Sequence, residues 1–137
     1  MILKAQKYHL EALYQIEQEC FGDDIYMLSK NNIAYHIKKG NILIYLSNQK
    51  IAGYILTINY KHSIRIYSLA IRQEFLKMGI ATKLCQKVIQ TSAKKVYLEV
   101  RKSNQIAIKL YEKLGFKIIK ELPLYYQNED GLKMLYS

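Results

Sequence analysis

Apolar positions recur along this chain with two periods, and the alternation between them predicts its elements. Leu10, Leu13 and Ile16, with Glu17 beside them, repeat at helical spacing and predict an amphipathic helix over His9 to Cys20. A polar loop with Gly22, Asp23 and Asp24 leads to a weakly marked helical region, Ile25 to Lys39. Ile80, Leu84, Val88 and Ile89 predict a further helix after Gly79, and Asn104 to Leu114 another, closed by Gly115 as its C-terminal cap. Between these lie runs with strand character: Ile2 to Ala5, then "ILIYLS", the turn "NQK" and "IAGYILTINY" as a hairpin, then "SIRIYSLAI", "KVYLEV", "FKIIKELPLYY" and "LKMLYS". The order β-α-α-β-β-β-α-β-α-β-β predicts an α/β (α+β) protein, a mixed sheet flanked by helices. Sheets of this kind place ligands where a strand's carboxyl end turns into a helix.

Length allows one core, so the expectation is a single domain over residues 1–137. No stretch is apolar for long enough to span a bilayer, and "MILKAQKYHLEALYQIEQE" turns charged too early for a signal peptide, which predicts a cytoplasmic protein. Cys20 and Cys85 have no metal spacing and are expected as reduced thiols, Cys85 in a helix core; His9, His36 and His62 show no ligand spacing either, so no metal is expected. The formal charge of +10 changes the picture more. It favours an anionic partner: nucleic acid, a membrane surface or a phosphorylated cofactor. The acids Glu11, Glu17, Glu19, Asp23 and Asp24 gather near the N-terminus, where they could draw a cationic substrate.

The stretch "FLKMGIATKL" opens a helix without Ser, Thr, Asp or Asn at its N-cap. Gly79 stands at the helix mouth, with Lys77 before it and Arg72 and Lys83 nearby. One reading is that an anion caps the free N–H groups, since helix N-termini attract phosphate and glycine permits close approach. The other is a glycine-initiated helix with no ligand. The stretch lacks the Gly-Lys-Ser/Thr ending of a Walker loop and is not a GxGxxG fingerprint.

In "YLEVRKSNQIAIKLYEKLGF" a carboxylate, Glu99, shares a strand face with Tyr97 while Val96, Leu98 and Val100 face the other way. Asn104, Ile108 and Tyr111 fall in one helical sector, which could return a phenol towards the end of the glutamate's strand. Those are a possible base and a possible acid; equally, Glu99 could pair with a cation and Tyr111 could pack its ring in the core.

Taken together, "LKMGIA" and "LEVRKSNQIAIKLYEKLGF", in that order, resemble motifs A and B of the GNAT family of acetyl-coenzyme A dependent N-acetyltransferases. The likeness extends to the branch that acetylates the N-terminal alanine of ribosomal proteins, whose paired tyrosines and Asp-Gly hairpin "YYQNEDG" resembles. The resemblance implies the GNAT fold: a mostly antiparallel sheet of about six to seven strands flanked by about four helices. It implies that backbone N–H groups of Lys77, Met78, Gly79, Ile80, Ala81 and Thr82 hold the pyrophosphate of acetyl-CoA. The main chain of Leu69, Ala70 and Ile71 would line the pantetheine arm, with Asn104 and Lys109 contacting the arm and nucleotide end. Glu99 matches the family's general base and Tyr111 its general acid. Phe21, Tyr125 and Tyr126 would contact the acceptor.

Leu76 stands where the family usually has Arg or Gln, and the Pro and Trp that follow the phenylalanine in this branch are missing after Phe21. The expected function is therefore acetyl transfer to an amine, with a protein N-terminus, such as that of a ribosomal protein, as acceptor. The expected state is monomer or homodimer, with no membrane and no direct nucleic-acid partner. A family member acting on a small amine or a lysine side chain, and a basic RNA-binding domain without catalysis, are the alternatives.

Overall fold

The computed structural model describes residues 1–137. Its elements are β1 (Ile2–Lys4), α1 (Leu10–Phe21), α2 (Lys30–Lys38), β2 (Ile42–Ser47), β3 (Lys50–Asn59), β4 (Ser63–Ile71), α3 (Ile80–Thr91), β5 (Lys95–Arg101), α4 (Gln105–Leu114), β6 (Phe116–Tyr126) and β7 (Glu129–Tyr136). The seven strands form a mostly antiparallel sheet in the order β1-β2-β3-β4-β5-β7-β6, in which β4 and β5 run parallel. This is the GNAT fold expected, and the element order follows the hydrophobic pattern.

Departures from the pattern have local causes. The chain from Ile25 to Ser29 is not helical, because Ser29 caps α2: its hydroxyl accepts the Asn32 N–H at 3.1 Å. Between β2 and β3, Asn48 and Gln49 both take left-handed backbone, φ 50° and 66°, the twist that a two-residue hairpin requires. At the C-terminal hairpin the turn is Gln127–Asn128, so the Asp-Gly pair expected to form it lies inside β7. Asp130 is held there because its carboxylate accepts the Leu124 N–H at 2.8 Å, where β6 breaks register and Leu124 turns to φ 48°.

The chain forms two compact units, Met1–Thr57 with Ser68–Lys87, and Ile58–Tyr67 with Val88–Ser137. In the first, Leu13, Ile16, Ile33, Ile44, Ile55 and Leu84 are fully buried, and so is Cys85, the expected helix-core thiol. A charged group is buried with them. Glu17, 2% exposed, accepts the Leu28 N–H at 2.7 Å and the Tyr54 hydroxyl, which also lies 3.3 Å from Ser68 Oγ. One carboxylate thereby ties α1 to the end of the following loop and to β3.

Gly53 of β3 lets β4 approach closely: a Cβ there would stand 2.5 Å from the Ala70 carbonyl oxygen and 3.1 Å from Ile71 Cα. Since neither atom belongs to a flexible side-chain end, Gly53→Ala must push the strands apart. We expect a cost of about 1–3 kcal/mol in chemical denaturation.

In the second unit, β5 alternates as expected. Val96, Leu98 and Val100 are buried, and α4 covers that face with Ile108 and Tyr111. Asn104 caps α4 by accepting the Ala107 N–H at 3.1 Å, and Gly115 ends it at φ 110°.

Candidate active site

The first unit presents the loop before α3. Lys77 and Gly79 both take left-handed backbone, φ 63° and 76°, and nothing lies within 4 Å of where a Gly79 Cβ would stand. The glycine is thus required by its conformation, and the space in front of it is open. The first intrahelical bond runs from Lys83 N–H to the Gly79 carbonyl at 3.0 Å. The amides of Ile80, Ala81 and Thr82 precede that bond, so helix geometry leaves them as donors towards the helix mouth. A phosphate group fits this arrangement of donors and open space. Leu76 and Met78 are exposed beside it. Lys83 instead leans on Tyr45, its Nζ 3.5 Å from the phenol oxygen, and Arg72 lies 4.0 Å from Glu19. Ala70 is buried and Ile71 half-buried at the end of β4, where the Ile71 carbonyl accepts from Cys20 Sγ at 3.4 Å.

The same unit spends most of the acids once expected to draw a cationic substrate. Glu11 pairs with Lys30, Glu17 is buried, Glu19 lies near Arg72, and Asp24 accepts the Tyr26 N–H at 2.8 Å. Phe21, the last residue of α1, is half-buried.

The second unit brings Glu99 together with Tyr125, through a residue that the hydrophobic pattern does not single out. Arg65 of β4 donates from Nε to Glu99 Oε1 at 2.7 Å and from Nη2 to the Tyr125 hydroxyl at 3.0 Å. The Glu99 side chain is 10% exposed and that of Arg65 22%. Partial burial works against the guanidinium's charge, but the Glu99 carboxylate outweighs it and holds Arg65 above its ordinary value. Tyr125 is raised by burial first and by Glu99 next; Tyr126 is pushed up to about 12 by burial, by Tyr125 and by Glu99. The two rings meet edge to face with centroids 5.0 Å apart, over Gly131, and Arg101 stacks on Tyr126 at 4.4 Å. One signal could have found Arg65: it is the only charge in "SIRIYSLAI".

Tyr111 stands apart from this cluster. Its ring packs edge to face on Phe116, 5.6 Å between centroids, on the buried face of β5, whereas Glu99 is on the opposite face. Both groups thus follow the structural alternative read from the sequence, a glutamate paired with a cation and a tyrosine in the core. Arg65 bonds through Nε to Oε1 of Glu99. Asn104 spends its side-chain oxygen on the helix cap, and Lys109 is exposed on the outer side of α4.

Known proteins resemble this chain in sequence and in fold. Over 75 residues the chain is 43% identical to the N-alpha-acetyltransferase of Sulfurisphaera tokodaii, covering 50% of this chain and 45% of that protein, so it aligns with less than half of that relative's length. It is 28% identical over 127 residues to the [Ribosomal protein bS18]-alanine N-acetyltransferase of Escherichia coli, covering 89% of this chain and 84% of that one. Its fold superposes on the PaiA N-acetyltransferase of Thermoplasma acidophilum, solved in complex with coenzyme A, with a TM-score of 0.82 over 100% of this chain and 98% of that one, at 18% identity. The acetyltransferase (GNAT) family pattern matches residues 10–116, and the chain belongs to that family.

Proposed function

We propose that this chain is an acetyltransferase domain that moves the acetyl group of acetyl-coenzyme A directly to the α-amino group of a protein N-terminus. The observation that carries this reading is Glu99, a shielded carboxylate fixed by Arg65 beside Tyr125 and adjoining the family motif "NQIAIKLYEKLGF". Support for a protein N-terminus comes from what the archaeal and E. coli relatives are named for. The finer assignment, an N-terminal alanine such as that of a ribosomal protein, rests on the E. coli relative alone.

Acetyl-CoA supplies an activated thioester; the chain's residues bind it and move protons around it. Amides from Lys77 to Thr82 hold the pyrophosphate, which supplies the missing helix cap. The main chain of Leu69 to Ile71 lines the pantetheine arm, while Asn104, through its amide nitrogen, and Lys109 act at the arm and nucleotide end. Glu99, through the oxygen that Arg65 Nε does not engage, takes the proton from the attacking amine. Tyr111 returns a proton to the departing thiolate. Phe21, Tyr125 and Tyr126 hold the acceptor.

The amine's own chemistry favours an N-terminus. With pKa values of about 7.7–8.0 for an α-amino group and 10.4 for lysine, the free-base share near pH 7 is roughly several hundred-fold larger for the former. A base of modest strength then suffices.

Thiol release from acetyl-coenzyme A with two matched peptides tests the reading. One carries a free N-terminal alanine and no lysine, the other a blocked N-terminus and one internal lysine. Turnover is expected with the first alone. Turnover confined to the second would move the enzyme to side-chain amines.

A further inference from the structure

On β5, Glu99 shares its face with Tyr97, opposite the buried Val96, Leu98 and Val100. Strand register lays out what this face displays. One row runs Lys117, Leu135, Tyr97, Arg65, and the next runs Lys120, Lys133, Glu99. Glu99 is the single acid in these rows, and Arg65 neutralises it. Lys117, Lys120 and Lys133 have no carboxylate within ion-pair distance, although Lys102 and Arg101 elsewhere in the unit are both paired, with Glu121 and Glu129. Lys120 and Lys133 stand directly opposite each other, an arrangement of like charges that destabilises a sheet. Lys133 lies over the Tyr97 ring at 4.6 Å instead of on an acid.

We propose that this face takes the acceptor polypeptide just beyond its reactive amine and selects acceptors with acidic residues there. The inference rests on the proposed transfer to a protein N-terminus, since it is Glu99 that puts the amine at the edge of these rows. An extended chain advances about 3.3 Å per residue while adjacent strands lie about 4.8 Å apart, so the few residues after the amine reach Lys133, Lys120 and Lys117 in turn. Carboxylates at those positions relieve the Lys120–Lys133 repulsion, whereas lysines or arginines add to it. A second copy of this chain is a poor occupant, because it would set the same cations against one another.

The test measures both binding and turnover for three peptides that begin with alanine and continue with acidic, serine or lysine residues, each labelled at its C-terminus. Fluorescence anisotropy in the presence of coenzyme A gives the affinity independently of catalysis. The acidic peptide is expected to bind roughly tenfold more tightly than the serine peptide at low ionic strength, with the gap closing as salt rises. Lys117→Glu with Lys120→Glu, both on exposed edge positions, should reverse the order while leaving coenzyme A affinity unchanged. Equal affinities, or an acidic preference that survives the double reversal, would overturn the proposal. So would polyuridylate that displaces the acidic peptide at lower concentration and loses its affinity in the same variant, which would assign the face to RNA. If no alanine peptide turns over, the N-terminal reading fails, while the anisotropy ranking still decides whether this face prefers acidic chains.

Discussion

Glu99→Gln is expected to lower kcat by about 10²–10⁴, the range of a positioned general base, and to leave coenzyme A affinity where it was. Glutamine keeps the volume of the side chain and an oxygen for the Arg65 Nε proton, so the β4 to β5 contact survives. What it loses is the capacity to take a proton from the amine. Coenzyme A binding is spared because the amides of Lys77 to Thr82, on the separate loop before α3, would carry it. Tyr111→Phe should lower kcat over the same range by a different loss. It preserves the ring packing against Phe116 and removes only the hydroxyl. Steady-state thiol release combined with a coenzyme A titration separates these effects. Full turnover in both variants would take both residues out of the mechanism.

Glu17→Ala should be among the most destabilising single changes in the chain, at roughly 2–5 kcal/mol, because it strands two buried donors at once. The Leu28 N–H and the Tyr54 hydroxyl would lose their acceptor in a site with no access to water. Glu17→Gln behaves differently. Its oxygen can accept from Leu28, and its amide can donate to the Tyr54 oxygen while that hydroxyl turns to Ser68 Oγ, 3.3 Å away. The pH dependence identifies the carboxyl. Burial raises the Glu17 pKa above 4.5, against the opposing bonds from Leu28 and Tyr54. The folded state therefore holds this proton more tightly than the unfolded state. Stability from this group is fully present below its ordinary value and is lost as pH rises through the folded value. Denaturation of wild type and Glu17→Gln between pH 4.5 and 7 should show the wild type gaining on the variant as pH falls. A difference independent of pH would mean that the carboxyl titrates as it does in water.

Where an element is bounded by its own neighbours, its limits are legible in the sequence. β2, β4 and β6 begin and end on the residues of "ILIYLS", "SIRIYSLAI" and "FKIIKELPLYY", because alternation stops there and turn residues follow. The start of α3 just after Gly79 was legible for the same reason, and the bond from Lys83 to Gly79 marks it. Features set by distant partners were not. β7 starts at Glu129 instead of Leu132 because Asp130 bonds across the hairpin to Leu124. Arg65 meets Glu99 through the parallel register that places Arg65 opposite Tyr97, a pairing of strands about thirty residues apart that no local pattern encodes. Glu17 lies on the helix face that the pattern marked as inward, yet its partners, Leu28 and Tyr54, come from a loop and a strand further along.

The two ends of the strand order also govern how copies of this chain meet. β1 offers only Ile2–Lys4 as an edge. β6, at the other end, breaks its register twice and carries Pro123, Lys117 and Lys120 along its length. Short edges, proline, bulges and lysine are the devices that keep sheets from recruiting foreign strands. Strand-to-strand addition between copies is therefore disfavoured at both margins. Crowding or partial unfolding that leaves these margins intact should not seed fibrils, and any pair of copies that does form must be held by side chains instead of a shared backbone ladder.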